Sequence, residues 1–203
     1  MRMLATSFAL VVILAAAISA QKSTPSPYDD AEAYAVYSAV LVNEWPVREA
    51  KAKGLVIQLE TTGFMPFSEK DITTCLTPAK GEESIYTPVL DAYRDANKVP
   101  RTLLQKFTIG IPYGFLPTAD FKALFAKNGI SGAWQEFYKK YPDSGGINEL
   151  SAVGFSADRT IAIVYAGHWC NDLCGGGRYH VLKKTEGKWA EIKWNGESCS
   201  WSS

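Results

Sequence analysis

The chain carries no excess of charge of either sign: 21 lysines and arginines face 21 aspartates and glutamates over 203 residues. A neutral surface exerts no long-range pull on phosphate backbones or anionic lipid headgroups, so nucleic acid is not an expected partner. Histidine is nearly absent, with two in the whole chain, His168 and His180. Any catalysis or metal binding that needs imidazole must use those two. Gly-x-Ser-x-Gly does not occur, which excludes the usual nucleophile elbow, and His-Glu-x-x-His is missing too. No segment repeats at a fixed period, and there is no low-complexity tract. After residue 20 no apolar run approaches the roughly twenty residues that a membrane helix needs, so an integral membrane protein is not expected.

One apolar run is present, at the start. Met1-Arg2-Met3 brings a positive charge, Leu4 to Ile18 holds no charged residue, and Ile18-Ser19-Ala20 ends on a small residue before polar Gln21-Lys22. That order is the layout of a secretory signal peptide spanning 1–20, cleaved after Ala20 or within a residue or two of it. The expected product is secreted or periplasmic. Residues 21–27 are rich in serine and proline and read as a flexible linker. Residues 28–203 then form a single domain, long enough for a sizeable core.

Four cysteines, Cys75, Cys170, Cys174 and Cys199, are an even number in a chain read as exported, and they read as two disulfides. Cys170–Cys174 with Cys75–Cys199 is the favoured pairing, because Cys-Asn-Asp-Leu-Cys closes a short loop. The chain-entropy model assigns about 2 kcal/mol to a five-residue loop and about 5 kcal/mol to one of roughly 125 residues. Cys75–Cys170 with Cys174–Cys199 scores similarly, so energetics leave both open.

Secondary structure follows from periodicity and punctuation. Asp29 or Asp30 caps a helix to about Glu44, ahead of Pro46, with Tyr34, Tyr37, Leu41 and Trp45 on one face. Residues 55–61 read as a strand, and 63–85 as loop. Thr87-Pro88 opens a second helix that ends near Asn97. The stretch 101–117 fits a short helix followed by a strand. Helices follow at 118–126 and 131–141, separated by Asn128-Gly129. The last sixty residues change character, with strands expected at 148–155, 160–169, 178–184 and 188–194. Turn residues 156–159 and 185–187 lie between neighbours, which implies antiparallel pairing. The run Ile161 to Ala166 is apolar on both faces and belongs at the centre of the sheet. Helices first and a strand meander afterwards make an α+β domain: N-terminal helices packed on one face of a C-terminal antiparallel β-meander of about four strands.

The C-terminal half contains Trp134-x-x-Phe137, Tyr141-Pro142, Leu150-Ser151-x-Val153-Gly154-Phe155, Ala162-x-Val164-Tyr165, Cys170-x-x-Leu173-Cys174-Gly175 and Gly187-Lys188-Trp189. Over residues 130–203 this run resembles a group of exported bacterial proteins to which no activity is assigned. The resemblance implies a bacterial origin and export, and it brings no catalytic residues.

Three readings of function remain. The first is a domain that acts by binding, to a glycan or a protein, or by contributing to envelope structure, with no cofactor. Five of the six tryptophans fall after residue 130, and Trp189, Trp194 and Trp201 are the candidate contact residues. The alternative is an extracytoplasmic hydrolase acting on envelope material. It would need two carboxylates in one cleft or a histidine beside a serine, and no acid or base stands out among Glu60, Asp91, Glu136, Asp143, Glu149 and Asp158. The third is a zinc or thiol-redox protein using His168, Cys170, Cys174 and His180. Two thiolates and two imidazoles can hold zinc, but a disulfide removes both sulfur ligands, and Cys-x-x-x-Cys is not the thioredoxin spacing. Gly175-Gly176-Gly177 lacks the lysine of a nucleotide loop and reads as a flexible turn beside the disulfide.

Overall fold

The run apolar on both faces is the first half of an eleven-residue strand, and both of its faces are covered. A computed structural model describes residues 24–43, 53–63, 76–194 and 200–203. In chain order the elements are α1 (Ala31–Asn43), β1 (Gly54–Gln58), α2 (Glu83–Ala96), β2 (Tyr113–Leu116), α3 (Thr118–Lys140) and β3 (Ser144–Leu150). They are followed by β4 (Gly154–Phe155), β5 (Ile161–Asn171), β6 (Cys174–Thr185), β7 (Lys188–Glu191) and β8 (Ser200–Ser202). Among the described residues no helix is long and apolar enough to cross a membrane.

The domain is α+β. The sheet runs β2-β1-β3-β5-β6-β7, with β4 also beside β5 and β8 also beside β6. β5, β6 and β7 form the expected antiparallel meander. Its second turn carries positive φ at Glu186 and Gly187, 50° and 78°, the backbone twist that suits a tight hairpin. The sheet is larger than the meander and mixed: β1 lies parallel to both β2 and β3. Leu55, Val56 and Ile57 are buried on both sides, as a strand inside a parallel sheet must be. The strand expected at 148–155 is split in two. Ser151 interrupts it: its hydroxyl accepts the amide hydrogen of Tyr165 at 2.8 Å and donates to Ala152 O at 3.0 Å.

Helices cover both faces of the sheet rather than one. On the first face α1 sets Tyr34, Tyr37, Val40 and Leu41 against Leu55, Ile57, Leu150, Val164 and Leu182, with Phe107 closing the layer. On the second, α2 sets Val89, Leu90 and Tyr93 on Ile163, Tyr165, Tyr179 and Val181. α3 sets Trp134 and Phe137 on Val56 and Ile147 of that same face. Each large apolar side chain so buried contributes about 1.5–3 kcal/mol. A strand whose successive residues point to opposite sides, all apolar, leaves no face for water, so both must be roofed.

Local signals explain most boundaries. Asp30 Oδ1 accepts the amide hydrogens of Glu32 at 3.0 Å and Ala33 at 3.3 Å, capping α1, an arrangement worth about 1 kcal/mol. α3 kinks at Gly129, φ 64° and ψ −178°, where the break between two helices was expected. α2 begins at Glu83, four residues before Thr87, and holds Pro88 inside it. The threonine-proline pair is therefore not its start. Residues 101–112 contain no helix. Thr102 there forms bridges to Pro27 and Glu60, and its amide donates to Ser26 O at 2.9 Å. The expected linker 21–27 is thus pinned from Pro25, whose carbonyl accepts the Thr102 hydroxyl at 2.9 Å. The expected leader 1–20 with its cleavage site, the expected helix end at Trp45 and Pro46, and the favoured Cys75–Cys199 pairing lie outside the described residues.

One contact fixes how α2 meets the sheet. A Cβ on Gly154 would sit 2.4 Å from Tyr93 Cα and 2.5 Å from its nitrogen. Backbone stands against backbone, so the helix must move to admit a methyl group. Gly154→Ala is expected to destabilise the domain by about 3 kcal/mol, the upper range for overpacking, read as a lower urea midpoint. An unchanged midpoint would show that α2 does not dock this closely.

Candidate functional cleft at the disulfide end of the sheet

β5 and β6 form a hairpin whose tip, Asn171-Asp172-Leu173, is closed by the Cys170–Cys174 disulfide with Cα atoms 5.1 Å apart. α3 fastens that tip: Tyr138 donates to Cys170 O at 2.8 Å, and Ser131 to Asp172 Oδ2 at 2.6 Å. The glycine run is not the turn. Gly175, Gly176 and Gly177 lie within β6, and none has a positive φ. They are extended residues without side chains, and each face of the strand uses that differently.

Toward α2 and α3, Gly175 and Gly177 make room for Trp201. A Cβ on Gly177 would fall 2.3 Å from the Tyr165 hydroxyl and 2.8 Å from Trp201 Nε1, and one on Gly175 would touch the indole edge at 3.2 Å. Trp201 reaches across β6 to pack against Trp169, ring centroids 4.4 Å apart and planes tilted by 40°. Its Nε1 donates to Tyr165 Oη at 2.8 Å, and Tyr165 donates to Glu149 Oε1 at 3.2 Å. Trp169 also hydrogen-bonds that carboxylate. Gly167 is bare for the same reason, since its Cβ would lie 2.6 Å from Glu149 Oε1. Burial is the main influence on Glu149 and pushes its carboxyl above the usual carboxylate range, while the two hydrogen bonds pull it down.

Toward α1, Gly176 leaves a slot. Asn148, His168, Gly176 and Ser202 form one row across β3, β5, β6 and β8, so their Cβ directions share a face. His168 and Ser202 therefore flank the glycine at a separation of roughly 10 Å, two strand spacings. A Cβ on Gly176 would meet only Trp201 O, at 3.2 Å. The resulting cleft measures about 470 Å³ and is lined by His168, the disulfide, Leu173, Gly175–Gly177, Arg178, Ser200, Trp201 and Ser203.

Its arginine and its histidine are already committed. Arg178 grips Glu191 with two bonds, 2.7 and 3.1 Å. Burial works against ionisation of Glu191, but His180 and Arg178 outweigh it and hold its carboxyl below the usual range. His168 Nδ1 lies 3.2 Å from Asn148 Oδ1. Asn148 Nδ2 donates to Val56 O at 3.1 Å, which orients the amide with its oxygen toward the imidazole. Nδ1 therefore carries the proton. The ring leans on β3, with Cε1 3.0 Å from where a Gly146 Cβ would be, away from Ser202.

The four residues of the zinc reading are not brought together. Both sulfurs are bonded to each other, and His180 pairs with Val164, four residues along β6 from the glycine opposite His168, roughly 13 Å away. His180 sits instead beside Glu191, 3.2 Å from its Oε1. Among the described residues no group of three metal-ligating side chains converges. The tryptophans separate as well. Trp189 is buried against Phe155 and donates to Glu32 Oε2 at 3.0 Å, and Trp194 packs edge-on against Tyr86. Trp201 alone of the three reaches the cleft. Asn148 and Glu149 went unseen as a site because one-residue alternation sends their side chains to opposite faces, and only the strand pairing reveals their partners.

No known protein family, curated protein or solved structure matches this chain. The cleft must be read from its own chemistry. A second hollow, about 580 Å³, lies between the two arms of α3 and is lined by Leu116, Phe137, Asp120, Glu136, Lys127 and Lys140 among others. It opens between exposed helix faces, whereas the disulfide cleft has strand backbone for a floor.

Cys170 and Cys174 set the end wall. Replacing both with serine is expected to cost about 2 kcal/mol, the value for a five-residue loop, and to leave the α-helical circular dichroism unchanged. Equal denaturation midpoints for variant and parent would mean that the bond adds no constraint at the hairpin tip.

Proposed function

We propose that this is an exported bacterial domain that acts by binding, taking a small neutral, hydroxyl-rich ligand of the saccharide class in the slot over Gly176. The observation that carries the reading is the vacancy in the row Asn148-His168-Gly176-Ser202: a position inside a regular sheet where no side chain fills the space, with His168 on one side and Ser202 on the other. A volume of about 470 Å³ falls in the range of small-molecule sites, roughly 300–1,000 Å³, and favours a small ligand over a protein surface. Arg178 is neutralised by Glu191, so a charged ligand meets no unopposed partner. The Ser200 hydroxyl and the Trp201 carbonyl supply a donor and acceptors for hydroxyl groups, and Leu173, 83% exposed at the lip, supplies an apolar contact. The disulfide supports an oxidising compartment, in line with the export that residues 1–20 suggest.

Binding without covalent chemistry agrees with the lining. Among the described residues the cleft holds no carboxylate, its cysteines are oxidised, and its histidine leans away from Ser202. The hydrolase alternative draws on a different place, the α3 hollow, where Asp120 and Glu136 line one cavity. Both are exposed, and Glu136 accepts a hydrogen bond from Lys139.

The test is calorimetric titration of the mature domain with a panel of envelope sugars, beginning with an N-acetylglucosamine disaccharide, while product release is followed in parallel. Gly176→Val fills the slot and should weaken binding on the order of tenfold or more without lowering the denaturation midpoint. Unchanged affinity in Gly176→Val would remove the slot from the reading. Sugar cleavage that is lost in Asp120→Asn would install the hydrolase instead.

A further inference from the structure

The slot has one wall that is short. β8 is three residues long, and its register pairs with β6 are Gly176–Ser202, Gly177–Trp201 and Arg178–Ser200. Three pairs and the bond from the Ser203 amide to Gly175 O at 3.1 Å are a modest hold for so short a strand at the side of β6. What ties this one is the Trp201 side chain, and its tether runs through the sheet: Trp201 Nε1 to Tyr165 Oη, 2.8 Å, and Tyr165 Oη to Glu149 Oε1, 3.2 Å. Every donor in that chain points toward the carboxylate. Two glycines, Gly167 and Gly177, are bare because side chains there would occupy the tether.

We propose that Glu149 is a positioning residue for the slot: through Tyr165 and Trp201 it clasps β8 as the outer wall, and its ionisation loosens that clasp. That the clasp governs ligand entry rests on the saccharide-binding reading; the clasp itself does not. The sign follows from burial. Glu149 is 6% exposed, and moving Trp201 aside would admit water to the carboxylate. Water favours the ionised form, so the open arrangement has the lower carboxyl pKa, and raising the pH through that titration shifts the population toward it. Of the groups that face Glu149, two donate hydrogen bonds that favour its ionised form and oppose this sign, and burial outweighs them. They are Tyr165 and Trp169 of β5, with Tyr93 of α2 and Tyr179 of β6 next to Tyr165. Register places neutral Gln58 of β1 beside it as well. The phenols are raised by burial, Tyr93 to about 12, and stay neutral through the range in which a carboxyl titrates.

Hydrogen–deuterium exchange of the amides at 200–203, corrected for intrinsic rate, reads the clasp without any ligand. In the parent, protection should fall by about tenfold, the scale of one hydrogen bond, between about pH 4 and pH 8. Glu149→Gln keeps an acceptor for Tyr165 and removes the titration, so its protection should stay high and flat. Glu149→Leu removes the acceptor and should be poorly protected at every pH, and Tyr165→Phe, which interrupts the chain at its middle, serves if the leucine variant does not fold. Protection in the parent that does not change with pH, or a Glu149→Gln profile that follows the parent's, overturns the proposal, as does full protection in Tyr165→Phe. Titrating the N-acetylglucosamine disaccharide across the same range separates the two readings. Binding that is present but independent of pH removes the clasp's control of the slot alone, whereas a pH-dependent clasp with no binding leaves the clasp standing and removes the sugar.

Discussion

Ile161 to Ala166 has no polar side, and the need to keep water from both faces of that strand organises the domain. Ala162 and Val164 look toward α1, and Ile163 and Tyr165 look toward α2. A strand buried in this way has to sit between other strands, and it does, with β3 and β4 on one side and β6 on the other. Once both faces are roofed, the layers available to the remaining elements are settled. α3 shares the second face beyond α2, and the irregular stretch around Phe107 completes the first.

Roofing ends before β5 does. Past Ala166 the strand continues through Gly167, His168 and Trp169, and β6 answers with three glycines. Here the structure exchanges aliphatic packing for a polar arrangement built on absent side chains. Gly167 and Gly177 admit Glu149, Tyr165 and Trp201 on one face, and Gly176 opens the slot on the other. A buried carboxylate is costly unless hydrogen-bonded, and the Tyr165 and Trp169 bonds offset part of that cost. Placing such a group one strand away from the cleft is what couples the cleft wall to protonation.

The disulfide and the α3 contacts give this end its rigidity. Tyr138 and Ser131 hold the hairpin tip from outside the sheet, and Cys170–Cys174 closes it from within. Less is spent on the opposite wall, where β8 depends on three strand pairs and one indole. A cleft with one fixed wall and one tethered wall is suited to admitting a ligand and then holding it, which accords with reading the vacant position over Gly176 as a binding site.

Residue pattern alone determined the class of fold, the capped first helix, the break in the third, the meander of β5, β6 and β7, and the short-loop disulfide. All of these depend on neighbours in sequence: a cap three residues from its amide, a glycine that relaxes a helix, an alternation of period two, two cysteines four apart. It mistook Thr87-Pro88 for a helix start and Gly175–Gly177 for a turn, because threonine, proline and glycine are punctuation only when nothing tertiary holds them in place. Which strands pair, that β1 and β2 extend the sheet in parallel, that helices cover both faces, and that Asn148 holds His168 while Glu149 holds Trp201 were decided by tertiary structure. These contacts join residues 16 to 92 positions apart, and no local rule encodes a partner at that distance. Burial and register choose it after the core has formed.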